Sequence, residues 1–205
     1  MQATPTSATT ERADWGGGVS PFRVTWSKLM MWLFLLSDTL TFGSLLVGYG
    51  YLRMSNPAWP RPDEVFNVGL VGFMTFVLIC SSATMAMAVA AARRDAWPQA
   101  VRLLGLTVLG GLLFLGLQAY EWRHFIHEGA RLSGNPWGVP LFSATFFVIT
   151  GFHGLHVTAG VVYLTTVVLR ALRRRYTADG VEVAGLYWHF VDLVWVFIFT
   201  LMYLI

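Results

Sequence analysis

Apolar residues gather along the chain in five long blocks, at about 29–52, 66–92, 99–121, 139–169 and 184–205. Each can cross roughly 30 Å of hydrocarbon as a helix, which takes about 20 residues at 1.5 Å apiece. Charges or helix breakers close the blocks: Lys28 and Arg53, Asn56-Pro57 through Pro62, Arg93-Arg94-Asp95, Trp97-Pro98, Asn135-Pro136, and the stretch Arg170 to Arg175. The pattern predicts an all-α fold, a polytopic membrane bundle of five transmembrane helices over 28–205. A flexible cytoplasmic tail, 1–27, precedes it and contains Gly16-Gly17-Gly18. Met1 to Ser20 lacks an apolar core, so this tail does not read as a signal peptide. No internal repeat is visible, which argues against the inverted-repeat plan of many transporters.

Composition strengthens the membrane assignment. Of 205 residues, 56% are hydrophobic and only 12% are charged, about half the charge of an average soluble domain. So little charge cannot coat a globule, and the solvent for most of the chain must be lipid. Nine Trp are present, and Trp59, Trp97 and Trp137 stand at span ends as expected of interface anchors. The net charge of +3 does not indicate nucleic acid, because the basic residues lie between apolar blocks rather than on one face. Their distribution sets orientation instead. Arg12, Arg23, Lys28, Arg93, Arg94, Arg102, Arg170, Arg173, Arg174 and Arg175 fall on one side; Arg53, Arg61, Arg123 and Arg131 fall on the other. The richer side is cytoplasmic by the positive-inside rule, so the N-terminus is expected inside and the C-terminus in the periplasm. The single cysteine, Cys80, excludes a disulfide framework and reads as a small buried hydrophobe.

Ionisable groups inside a span cost several kcal/mol and normally face the bundle interior, a cavity or a partner. Six qualify: Asp38, Glu121, His153, His156, His189 and Asp192. The helical rise places Asp38 roughly 15 Å and Asp192 roughly 12 Å from the cytoplasmic boundary, with His189 one turn before Asp192 on the same face. These three are expected to form an inner cluster. Glu121 at roughly 28 Å and His153 at roughly 25 Å match in depth, with His156 one turn inward. They are expected to form an outer cluster in which Glu121 pairs with His153. Two histidines at i, i+3 without an HExxH context favour helix stapling over a metal site. Asp38, an acid in the middle of an apolar helix, is a functional candidate as much as a structural one. Gly105, Gly110, Gly111 and Gly116, and the small residues from Ser81 to Ala88, are expected to let helices approach closely. Arg170, Arg173, Arg174 and Arg175 read first as a topology determinant and second as a site for anionic lipid headgroups. Neither facing axial histidines for haem nor a Cys-rich copper loop is visible, nor a phosphate loop.

Four segments carry a resemblance. Thr150-Gly151-Phe152-His153-Gly154-Leu155-His156-Val157 resembles the signature of subunit III of the haem–copper terminal oxidases. Phe34-Leu35-Leu36-Ser37-Asp38 is similar to that family's first shared helix, Gln118-Ala119-Tyr120-Glu121-Trp122 to its glutamate segment, and Tyr187 through Trp195 to its last helix. Five helices correspond to the family's short form. The resemblance implies a non-redox accessory subunit of a proton-pumping oxidase that reduces oxygen to water with electrons from cytochrome c or quinol. It implies no cofactor in this chain, haem and copper being carried by partner subunits. It further implies packing on subunit I, with subunit II and subunit IV in the same complex, bound phospholipid, and support of proton uptake and stability in a bacterial inner membrane. Asp38 occupies the family's carbodiimide-reactive position, where most members have Glu and a minority Asp. A related accessory protein of nitric oxide reductases shares the five-helix plan. A stand-alone proton-coupled carrier using Asp38, His189 and Asp192 is the competing class.

Overall fold

With no water in hydrocarbon, every backbone amide of a spanning segment must be bonded within the segment, and a helix achieves this. The computed structural model describes residues 24–173 and 175–205, the side chain of residue 63 excepted. Residues 1–23, with Arg12 and Arg23, and also Arg174, lie outside the described residues, together with the expectations placed on them. The chain forms α1 (Trp26–Ser55), a short α2 (Pro62–Val65), α3 (Val68–Arg93), α4 (Trp97–His127), α5 (Pro140–Leu172) and α6 (Ala178–Ile198). The last continues into a π-helical turn, Phe199–Leu204. Five helices are long and apolar enough to cross a membrane, and no β-strand occurs among the described residues.

The helices outrun the apolar blocks at two ends. α4 continues past Glu121 to His127, and α6 starts at Ala178 rather than near 184. The Thr177 side chain accepts the Gly180 amide at 3.2 Å, and Asp179 sits in the first turn. Both suit the electropositive N-terminus of a helix. Polar residues end a hydrophobic block without ending a helix.

Helix α6 is central, touching α1, α3 and α5, while α3 and α4 make the most extensive antiparallel pair. In lipid, such association relies on close packing and interhelical hydrogen bonds rather than on burial from water. Both are visible. A Cβ at Gly111 would come within 2.6 Å of Trp188 and 2.7 Å of Val161, so only glycine lets α4 meet α5 and α6 there. Gly110 likewise stands against Ser81, whereas Gly105 and Gly116 have nothing within 4 Å, contrary to expectation. The two buried indoles of α6 are anchored on α3. Trp188 Nε1 donates to Ser81 Oγ at 2.8 Å and Trp195 Nε1 to Thr75 Oγ1 at 3.0 Å. Cys80 is exposed, not buried: it shares α3 with these anchors but points away from the bundle.

Helix α1 joins by one stripe, Leu35, Asp38, Phe42 and Tyr49, at helical spacing. The remainder is open, with Leu40 68% and Val47 74% exposed. At its first turns Lys28 pairs with Glu182, which also accepts from Arg93 Nη2 at 2.6 Å, tying α1, α3 and α6 at one end of the bundle. The opposite end is closed by aromatic side chains. Phe66 stacks on Phe146 with centroids 5.0 Å apart, and Trp137 lies flat on Phe125 at 5.2 Å. Trp59 stands edge-on to Phe142 at 5.6 Å. Trp59 and Trp137 thus sit at a helix-end level, as interface anchors do, but also pack onto the bundle. Trp97, at the other end, donates to Asp95 Oδ1 at 2.6 Å.

Candidate functional site

Two residues along a helix is a rotation of about 200°, so neighbours two apart face opposite helices. This simple geometry rearranges the expected clusters. Tyr187 of α6 turns toward α5, its hydroxyl donating to the His156 carbonyl at 2.9 Å. His189 turns toward α3 instead, where its Nδ1 lies 2.6 Å from Ser82 Oγ. Ser82 serves the Asp192 carboxyl group as well, and Asp192 Oδ1 is buried without a partner. Asp38 belongs beside Tyr187, not in this group. The inner cluster is therefore Ser82, His189 and Asp192, with Asp38 elsewhere.

The partner of Asp38 is His156. Its Nε2 stands 3.1 Å from Asp38 Oδ2, within ion-pair distance though off the line of a well-aligned hydrogen bond. His156 Nδ1 lies 2.8 Å from the Phe152 carbonyl oxygen. A carbonyl can only accept, so Nδ1 carries the hydrogen, and a neutral ring then has a bare lone pair on Nε2. Facing a carboxylate, two lone pairs would oppose each other unless one proton resides between them. The pair therefore sets an imidazole nitrogen and a carboxyl oxygen within ion-pair distance across two helices. It lies between α1 and α5 with Phe42 edge-on to the His156 ring at 5.2 Å, and with only 11–13% of either side chain exposed.

The outer cluster is also re-paired. Glu121 Oε2 accepts from the Tyr203 hydroxyl at 3.0 Å, and Oε1 has no protein partner. The expected Glu121–His153 pair does not form. His153 is fully buried, neither ring nitrogen has a hydrogen bond, and its ring lies among Trp195 at 5.1 Å, Phe114 at 5.8 Å and Phe42 at 6.5 Å. One turn of helix separates His153 from His156, but about 60° of rotation aims them at different neighbours.

Tyr203 was not singled out from the sequence, and the reason is conformational. Eight residues after Trp195, an α-helix would aim it about 80° away from the indole. The wider turn over Phe199–Leu204 swings it inward until the two rings are 6.1 Å apart. π-Helical turns of this kind recur where a side chain must be re-aimed.

Two of the segments that carry the resemblance, one on α4 and one on α5, interlock. Gln118 Nε2 donates to the Thr150 carbonyl at 2.8 Å and Trp122 Nε1 to Thr150 Oγ1 at 3.1 Å. A Cβ at Gly154 would meet Gln118 at 3.0 Å, and one at Gly151 would meet Trp122 at 3.0 Å. Arg170, Arg173 and Arg175 are exposed at the α5–α6 connection, with the Arg175 amide donating to the Arg170 carbonyl at 3.0 Å.

These features define a multi-pass membrane bundle with polar pairs buried between helices. The profile of the cytochrome c oxidase subunit III family matches residues 21–205, and the chain belongs to that family. It is 39% identical over 180 residues to cytochrome c oxidase subunit 3 of Bacillus subtilis (strain 168), covering 86% of this chain and 84% of that one. It is 37% identical to quinol oxidase subunit 3 of the same organism, covering 86% and 85%. To the cytochrome bo(3) ubiquinol oxidase subunit 3 of Pseudomonas aeruginosa it is 34% identical, covering 84% and 82%. It is a subunit of a terminal oxidase complex.

Proposed function

We propose that this chain is the non-redox accessory subunit of a proton-pumping haem–copper oxidase, supporting proton uptake and the lifetime of the complex during turnover. It packs on subunit I, which carries the haem and copper, with subunit II and subunit IV in the same assembly. Oxygen is reduced to water there with electrons from cytochrome c or quinol. Bacillus subtilis relatives named for each donor are 39% and 37% identical to this chain, a difference too small to choose between them. The membrane is the bacterial inner membrane, with the N-terminus cytoplasmic and the C-terminus periplasmic.

The observation that carries the reading is the Asp38–His156 pair, an acid and an imidazole 3.1 Å apart between two helices with little exposure. An intramembrane acid of this kind is retained for function or for a specific partner. Phospholipid binding is supported by an apolar groove of about 260 Å³ between α1 and α5, lined by Leu45, Gly48, Leu52, Val148 and Ile149 among others. The exposed arginines 170, 173 and 175 suit anionic headgroups at the other end.

Purification from native membranes tests the assignment: the chain should copurify with haem, and a chain recovered alone and haem-free would refute it. Within the complex, Asp38→Asn should leave assembly intact and change proton uptake or the number of turnovers before inactivation.

A further inference from the structure

Helix α6 is covered on most sides and open on one. Around it α3 packs on α4, α4 on α5 and α5 on α1, which leaves a gap in the ring between α1 and α3. Across that gap α1 and α3 are tied at one end, where Glu182 of α6 meets Lys28 and Arg93. Leu193, Val196 and Phe197 of α6 are exposed. His189, half-buried, stands four residues before Leu193 and seven before Val196, on the same helical face.

The polar chemistry of this face is incomplete. His189 Nδ1 is taken by Ser82 Oγ at 2.6 Å. No described residue bonds Nε2, and that nitrogen is not among the sealed atoms of the bundle, unlike both ring nitrogens of His153. Asp192 Oδ1 is sealed, so nothing outside the bundle reaches it. Nε2 is thus a hydrogen-bonding atom turned toward the membrane. Seven residues separate His189 from Glu182, so the ring lies about 10 Å inside the level of the Lys28–Glu182–Arg93 contact. Hydrocarbon at that depth offers no hydrogen bond, and an unmet polar group there is costly.

We propose that this face of α6 receives a transmembrane helix of another subunit of the oxidase, and that the helix presents a hydroxyl or carboxamide side chain to His189 Nε2. The proposal rests on the reading that other subunits pack on this chain, and it assigns that packing a face and a contact.

The chemistry narrows the partner. In membranes, helices associate through close packing of small residues and through side-chain hydrogen bonds between them. Ser82 and Ala86, one turn apart on α3, are both at least partly open and keep that flank low. The Ser82 contact fixes which ring nitrogen is left over but not which one carries the hydrogen. A hydroxyl or carboxamide both donates and accepts, and so satisfies either tautomer. An acyl chain satisfies neither. The exposed Leu193, Val196 and Phe197 supply the apolar contact that such a helix needs on either side of its polar residue.

The test uses the intact oxidase complex with p-benzoylphenylalanine in place of Leu193, one turn from His189 on the open face. Irradiation should join this chain to another subunit. Mass spectrometry should place the adduct on a transmembrane helix, within about one turn of a Ser, Thr, Tyr, Asn or Gln. His189→Leu and His189→Gln are then compared in the same complex. His189→Leu should release that subunit about fivefold faster in detergent, the size of one interhelical hydrogen bond. His189→Gln, whose carboxamide can bond the same partner, should stay close to wild type. An adduct with lipid only, no adduct with another subunit, or equal release from all three forms overturns the proposal. Should His189→Leu fail to assemble, the crosslink, made with His189 in place, decides alone. A complex that keeps its haem but gives no such adduct refutes this contact and leaves the subunit assignment standing; a chain that purifies without haem refutes the assignment itself.

Discussion

His156 offers Asp38 a ring nitrogen that, in the neutral ring, carries no hydrogen: its Nδ1 is committed to the Phe152 carbonyl at 2.8 Å, and its Nε2 lies 3.1 Å from Asp38 Oδ2. The contact joins α1 and α5, two helices that otherwise meet along little more than a stripe. An isosteric amide at this position changes the charge of the contact more than its shape.

Asp38→Asn keeps that shape and replaces the acid by an amide that can donate to Nε2. The variant complex should assemble in normal yield. Its proton-uptake rate or its turnover lifetime should fall, measured with the oxidase in vesicles under steady oxygen reduction. No change in either would assign Asp38 to packing alone.

Glu121 and Tyr203 are a hydrogen-bonded pair rather than Glu121 and His153. Glu121→Leu and Tyr203→Phe should each lower the thermal transition of the purified complex. The double variant should lose less than the sum, with a coupling of about 1 kcal/mol, as interhelical hydrogen bonds in membranes give. Additive losses would show that the two side chains do not act together. His153→Phe should be tolerated, because the His153 ring nitrogens make no hydrogen bonds and its neighbours are aromatic.

Close approach at Gly111 makes a sharp contrast with Gly116. Gly111→Ala drives a methyl group into Trp188 and Val161 and should destabilise by about 1–3 kcal/mol. Gly116→Ala enters open space and should be neutral or slightly stabilising, since alanine is the better helix former. Equal melting behaviour of the two variants would contradict the packing of α4 against α6.

Orientation can be read with cysteine labelling in a Cys80→Ser background. A cysteine at Asp95 should react with an impermeant maleimide only from the cytoplasmic side of oriented vesicles, and one at Gly134 only from the outer side. The opposite pattern would invert the topology that the Lys and Arg distribution predicts.

Much of the architecture is legible in the sequence. Five apolar blocks and the breakers between them located five helices, because spanning length is a local property of the chain and lipid tolerates little else. Helix ends were less legible where Asp179 and Glu182 extend α6 beyond the apolar block, since capping chemistry rather than hydropathy decides where a helix starts. Adjacency was also readable: Glu121 and His153 do lie on neighbouring helices, α4 and α5. Their partners were not, because depth says nothing about rotation.

The five-helix count, the polar residues within the spans and the segments resembling subunit III were all determined by sequence alone, since each depends on composition or order along a single strand of chain. Which polar group meets which was decided by the tertiary structure. With α6 in the centre, its residues at successive 100° steps face three different helices. Tyr187 therefore goes to α5 and His189 to α3, and Asp38 is left to pair with His156. A π-helical turn at the end of α6 then brings Tyr203 onto Glu121, a contact that no regular helical periodicity would produce.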